Sequence, residues 1–264
     1  MNFGLVIVGD EILSGKRQDK HLSKVIELLS ARGLGLSWAR YVGDEPERIT
    51  AVLRDAFAGA DAVFCCGGSG ATPDDHTRQC AAAALGVPLE LHPRATELIL
   101  ERMHELAREQ KVAFDPDRPD NLHRLNMGVF PRGAQIVPNP YNKIPGFSVG
   151  DVHFVPGFPV MAHPMIEWLL DTRYASLHGS LRRVERSVIV TGSMEATLTP
   201  LMEEIEARFP GVKVFSLPSV DHPVRGRHIE LGVKGDAQDT VVAFAALKDG
   251  LVALGVRLGE ELSR

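Results

Sequence analysis

Asp61-Ala62-Val63-Phe64-Cys65-Cys66 is an apolar run that passes without a break into Gly67-Gly68-Ser69-Gly70-Ala71-Thr72-Pro73-Asp74-Asp75-His76-Thr77. A short run of apolar and β-branched residues bounded by glycines reads as a buried strand. The glycines then allow positive φ and let a ligand approach the backbone. A helix beginning near Asp74 follows, with the alanines 81–84, and stops at Gly86. A strand that hands over through bare amides to a helix N-terminus suits a phosphate or carboxylate. The alternative is a tight turn in which Asp74 or Asp75 caps the helix. The loop lacks the Gly-Lys-Ser/Thr of a P-loop and the spacing of a dinucleotide fingerprint.

Outward from this loop the same alternation repeats. Leu5-Val6-Ile7-Val8 is a strand ending at Gly9, and Leu22, Val25, Ile26 and Leu29 form one face of a helix closed by Gly33. Leu36 to Val42 alternates as a strand, and Pro46 opens a helix carrying Ile49, Val52, Leu53, Ala56 and Phe57. This order argues for an α/β domain, a mostly parallel sheet between two helical layers. Pro93 to Gln110 predicts a helix and Asp115 to Asp120 a loop. Gln135 to Pro138 and Ser148 to Val155 predict strands around the rigid Asn139–Phe147 loop, and Pro159 to Leu170 predicts a closing helix.

The turn-rich Leu177-His178-Gly179-Ser180 separates a first domain, 1–175, from a second, 180–264. The second predicts β-α-β-β-α: Val184–Val190, Glu195–Phe209, Val212–Leu217, His228–Val233, then a helix capped by Asp236. That is a small α/β sandwich, in which Gly232-Val233-Lys234-Gly235 reads as a turn.

Composition narrows the function. The chain has 264 residues, 44% of them hydrophobic, which is enough for a packed core and excludes disorder. No apolar run reaches the roughly 18 residues of a membrane span. The first residues lack a basic segment and a cleavage site, and three cysteines make no disulfide framework, so a cytoplasmic protein is expected. The net charge of −5, and of −1 over residues 180–264, leaves no electrostatic footprint for nucleic acid. Cys65, Cys66 and Cys80 read as buried, inert thiols. His21, His76 and His153 read as capping or surface groups sooner than as lining a site.

Three acidic turns follow the three strands: Gly9-Asp10-Glu11-Ile12-Leu13-Ser14-Gly15, Val42-Gly43-Asp44-Glu45, and the loop carrying Asp75. Parallel strands bring them to one edge, where ligands of open α/β sheets bind. A carboxylate beside a phosphate cradle repels the ligand unless a cation intervenes, and a magnesium-type ion takes one or two carboxylates plus phosphate oxygens. Asp44 and Asp75 are therefore the metal candidates. Lys143, the one cation of Asn139-Pro140-Tyr141-Asn142-Lys143-Ile144-Pro145-Gly146-Phe147, is placed to meet a phosphate.

Taken together, Gly9 to Gly15, Gly67 to Thr77, Asn139 to Gly146 and Pro156-Gly157-Phe158-Pro159 resemble, in order and spacing, the MoaB/Mog molybdopterin-binding family, and within it the N-terminal part of CinA-type proteins. The resemblance spans residues 4 to about 172, and residues 180–264 resemble the KH-like domain that follows in CinA. It does not extend to the deamidase domain of full-length CinA proteins, so that activity is not carried over. It implies a three-layer α/β/α domain whose glycine loop, Gly67, Gly68, Ser69, Gly70, Ala71 and Thr72, holds a pterin or nucleotide phosphate. Asp10, Glu11, Ser14, Gly15, Asp19, Lys20, Asn139, Pro140, Lys143, Pro145, Gly146, Pro156 and Gly157 complete the binding set.

By motif, Asp44 and Asp75 fall on the family's two catalytic aspartates. The chemistry implied is adenylyl transfer to molybdopterin or metal-dependent hydrolysis of ADP-ribose, on a homodimer or homotrimer. A non-catalytic molybdopterin- or nucleotide-binding module is the other reading. The sequence departs from the family at Cys66, at Ser69, at Asp19-Lys20-His21 and at Asn142-Lys143-Ile144, where small residues are usual. There a bulky cation fills part of the pocket or changes which ligand enters.

Overall fold

In a computed structural model, residues 1–179 and 183–263 are described; Ser180 of the expected boundary turn lies outside them. The chain divides into two compact units, Met1–Gly179 and Ser180–Arg264.

The first unit is built on a six-stranded sheet in the order β2-β1-β3-β8-β7-β6. Strands β1 (Phe3–Val8), β2 (Leu36–Val42), β3 (Ala62–Cys66) and β8 (Val152–Val155) are parallel. Strands β7 (Gly146–Val149) and β6 (Gln135–Val137) close one side antiparallel. A separate pair joins β4 (Leu89–Leu91) to β5 (Val129–Pro131).

Alternation along the central strands makes the layers. Leu5, Ile7, Phe64 and Cys66 face α2 (His21–Ser30) and α7 (Pro159–Thr172), where Val25, Leu29, Met165 and Ile166 pack on them. Val6, Val8, Val63 and Cys65 face the other way, toward α3 (Pro46–Ala58), α4 (Thr77–Leu85) and α5 (Pro93–Glu109). A strand buried on both faces needs apolar residues at every position, which is why β1 and β3 read as continuous runs and not as alternation. Two short helices remain, α1 (Asp10–Leu13) and α6 (Pro119–Leu125).

Several expectations change. The run Ser148 to Val155 is a hairpin, β7 and β8, turning at Gly150 (φ 57°); it reads as one strand because both arms are buried. Part of the expected Asp115–Asp120 loop belongs to α6, opened by Pro119 at its first turn. Helix α4 starts at Thr77, and neither Asp74 nor Asp75 caps it.

The second unit is a four-stranded antiparallel sheet, order β10-β11-β9-β12. Its elements are β9 (Arg183–Thr191), α8 (Glu195–Arg208), β10 (Lys213–His222), β11 (Gly226–Asp236), α9 (Ala237–Ala253) and β12 (Arg257–Ser263). Leu198, Ile205, Phe244 and Leu247 of the helices pack on Val188, Val190, Leu231 and Val233. Asp236 caps α9 through the Gln238 N–H. The expected five-element pattern gains β12, a charged edge strand whose polar run hid it. Gly232 to Gly235 is not a turn: it lies inside β11, where Gly232 leaves room for the Phe215 ring.

Candidate functional site

The register of the parallel strands sets where the loops emerge. Val8 pairs with Val42, Ile7 with Cys66, and Cys66 with Val155, so four strands end at one level. Gly9, Gly43, Gly67 and Pro156 follow them. A cleft of about 420 Å³ opens at that edge.

The loop after β3 forms one wall. Gly67 has φ 105° and Gly68 φ 62°, and a β-carbon on Gly67 would run into the Val8 carbonyl. Its carbonyls are drawn away from the cleft: Gly67 accepts from the Thr77 hydroxyl (3.0 Å), Gly68 from the Thr77 N–H (2.9 Å) and Gly70 from Arg78 (2.6 Å). The amides at the two ends are spent, Gly67 on the Val155 carbonyl and Thr72 on Asp75 Oδ2. Between them, the amides of Gly68, Ser69, Gly70 and Ala71 have no acceptor among the described residues, and all four residues line the cleft. Exposed backbone donors held in place from behind are the arrangement that binds an anion.

Acidic groups share the cleft with these amides. Glu11, Asp44, Asp74 and Asp75 line the cleft. Asp10 and Asp44 exchange hydrogen bonds, each backbone N–H donating to the other's carboxylate, at 2.9 and 3.2 Å. Burial, and then the carboxylates of Asp10, Glu11 and Asp74, raise the Asp44 carboxyl above its ordinary pKa despite the Asp10 N–H. Asp75 Oδ2 takes both the N–H and the hydroxyl of Thr72, so this carboxylate shapes the loop.

Among the described residues no group of three or more His, Cys, Asp or Glu is arranged to hold a metal ion. Asp44 and Glu11 are oxygen donors of the kind a hard cation takes.

The rest of the binding set divides. Asn139, Pro145, Gly146, Pro156 and Gly157 line the cleft. Asn139 shapes its loop through Asn142 and the Ile144 carbonyl, and a β-carbon on Gly157 would sit 3.3 Å from the Gly67 Cα. Ser14 and Gly15 close the turn of α1, and Pro140 and Lys20 are exposed away from the cleft lining. Asp19 caps α2: burial works to raise it, but the His21 and Leu22 N–H groups and the Tyr41 hydroxyl hold it below its ordinary value.

Lys143 does not face the cleft. Its Nζ pairs with Glu101 and Glu105 of α5, both at 2.5 Å, and its φ of 64° carries the turn that aims Ile144 and Pro145 inward. The cation in the cleft lining is Arg17, whose side chain has no partner among the described residues. The basic pair Lys16-Arg17 directly after the first acidic turn was the available signal. His21 also lines the cleft and meets the Gly157 carbonyl at 3.0 Å, whereas His153 is buried between Ser148 and Tyr174. Burial pushes the Cys66 thiol up, which keeps it protonated. The inner wall is apolar, with Phe130, Phe147 and Phe154 in a stacked series.

Comparison with known proteins identifies the family of the chain. A family model described as a probable molybdopterin binding domain matches residues 4–176. A CinA-like protein of Anaeromyxobacter dehalogenans strain 2CP-C is 30% identical over 284 residues, taking in 97% of this chain and 67% of that protein. One from Anaeromyxobacter sp. strain Fw109-5 is 30% identical over 270 residues, 96% of this chain and 63% of that protein. The chain thus spans about two thirds of their length. The crystal structure of CinA from Thermoplasma acidophilum superposes with a TM-score of 0.54 at 24% identity, covering 65% of this chain and 98% of that one. The molybdopterin biosynthesis enzyme MoaB of Thermus thermophilus gives 0.40 at 24% identity, covering 67% and 94%. No helix among the described residues is long and apolar enough to cross a membrane. With a family model on residues 4–176 and CinA-like relatives along nearly its whole length, the chain belongs to the molybdopterin-binding domain family and to its CinA-like proteins.

Proposed function

We propose that the cleft binds the phosphate of a phosphorylated pterin of the molybdopterin type, or of an adenine nucleotide, and catalyses displacement at a phosphoanhydride. The observation that carries this is the row of four unspent amides, Gly68 to Ala71, lining one cleft with Asp44 and Arg17. In phosphoryl and nucleotidyl chemistry the protein mainly positions groups and stabilises charge on the phosphate oxygens. The amides and Arg17 take that role, and the apolar inner wall receives a ring system. Asp44 and Glu11 would hold a divalent ion carried in with the phosphate, and that ion would neutralise charge there. Burial and the neighbouring carboxylates raise the Asp44 carboxyl above its ordinary value, a shift that an ion held there would reverse.

Two reactions fit, hydrolysis of the pyrophosphate of ADP-ribose and adenylyl transfer to a pterin phosphate. The test is AMP release from ADP-ribose with Mg²⁺, alongside adenylylation of a pterin phosphate by ATP. Turnover in either, lowered at least a hundredfold in Asp44→Asn, is expected. Ligand binding with no turnover in both would leave the second reading, a binding module. That reading is favoured by the tie between Asp75 and Thr72, which takes one oxygen of this carboxylate from a ligand.

A further inference from the structure

Behind the glycine loop lies a second cavity, of about 330 Å³, that the chemistry above does not use. Ala71, Thr72 and Asp75 line both spaces, so this stretch is the partition between them. On the far side stand Arg78, Gln79 and His76 of α4 and the residue before it, with Asn126 and Val129 opposite.

Arg78 is the unusual member. It is only 5% exposed, yet no carboxylate pairs with it among the described residues. Two of its donors reach carbonyls, Gly70 at 2.6 Å and Asn126, and its Nε is buried with no partner. A guanidinium has five N–H donors, so three remain unspent. Asp75 acts on Arg78 only through space, without an ion pair, and a buried cation so thinly compensated is one that an anion completes. Asp75, the one carboxylate on the cavity wall, spends Oδ2 on Thr72. With Nε sealed from the cavity, the unspent Nη N–H groups are the ones left to meet a ligand there, and their planar edge matches a phosphate better than a point charge would.

We propose that this second cavity is an anion site in which Arg78 holds a phosphate group. The two phosphate positions then lie on either side of the 71–75 partition. That is the layout for a ligand with two phosphates, or for two phosphorylated substrates meeting at one loop. Only this pairing rests on the proposed function of the first cleft; the Arg78 site stands on its own residues.

The test is a titration of the full chain with inorganic phosphate, followed through the Arg78 Nε–H resonance and the amides of Gly68 to Ala71. The Arg78 resonance is expected to move and saturate. Gln79→Glu, which places a negative charge on the exposed rim of this cavity, is expected to weaken that response about tenfold while leaving the loop amides unchanged. An Arg78 resonance that stays still while the amides move overturns this proposal and leaves the proposed function standing. The reverse pattern overturns the proposed function and leaves this site. Stillness of both overturns both, and a Gln79→Glu response equal to wild type overturns the Arg78 site. Repeating the titration with pyrophosphate shows whether one molecule serves both positions, through coupled rather than independent saturation.

Discussion

Asp10 and Asp44 hold each other by the backbone: the Asp10 N–H donates to Asp44 Oδ2 at 2.9 Å, and the Asp44 N–H to Asp10 Oδ1 at 3.2 Å. The loops after β1 and β2 are thereby locked with two carboxylates in one place, a costly arrangement unless something else gains from it. The expense falls on Asp44, which burial and the neighbouring carboxylates push above its ordinary pKa.

The sign of that shift makes a pH prediction. A carboxyl raised in the folded state binds its proton more readily there than in the unfolded chain, so its folding penalty is present at neutral pH and fades as pH falls through its folded value. Asp44→Asn, which keeps an acceptor for the Asp10 N–H, is expected to raise Tm at pH 7. The gain should shrink as the pH approaches the ordinary carboxylate range, as thermal melts across pH would show. The same variant should lose turnover, a trade of stability for activity.

Gly67→Ala tests the glycine loop. The side chain would meet the Val8 carbonyl at a φ of 105°, so a loss of about 2 kcal/mol or more in chemical denaturation is expected, with ligand affinity lost alongside. Gly86→Ala is the control: its φ is 67° but nothing crowds it, so a smaller loss of about 1 kcal/mol and unchanged affinity are expected.

Arg17 and Lys143 separate binding from scaffolding. Arg17→Ala removes the cleft's unpaired cation and is expected to weaken a phosphate ligand about tenfold in calorimetric titration, with stability changed by less than about 0.5 kcal/mol. Lys143→Ala should do the reverse. It loses exposed ion pairs worth about 0–1 kcal/mol and leaves a β-carbon at φ 64°. Lys143→Gly loses the same pairs but relieves the backbone, so it should be more stable than Lys143→Ala by about 1 kcal/mol.

The layered fold was legible because β1 and β3 are apolar at every position and are bounded by glycine, a pattern only a doubly covered strand explains. The hairpin Gly146–Val155 was not, because both of its arms are buried and the run looks unbroken; Gly150 was the mark to read. Strand β12 escaped for the opposite reason, since Arg257 to Ser263 is charged and lies at an edge. At the site, the glycine loop and the acidic turns follow from strand order alone. The exchange of Lys143 for Arg17 does not: which of two basic residues faces a cleft depends on Glu101 and Glu105, some forty residues away on another helix.

The most direct test is a crystal structure of the chain with AMP and Mg²⁺. Phosphate oxygens within about 2.7–3.2 Å of at least two of the amide nitrogens of Gly68, Ser69, Gly70 and Ala71, with Asp44 on the same side, are predicted. A nucleotide seated elsewhere, with those amides bonded to protein instead, would contradict the account.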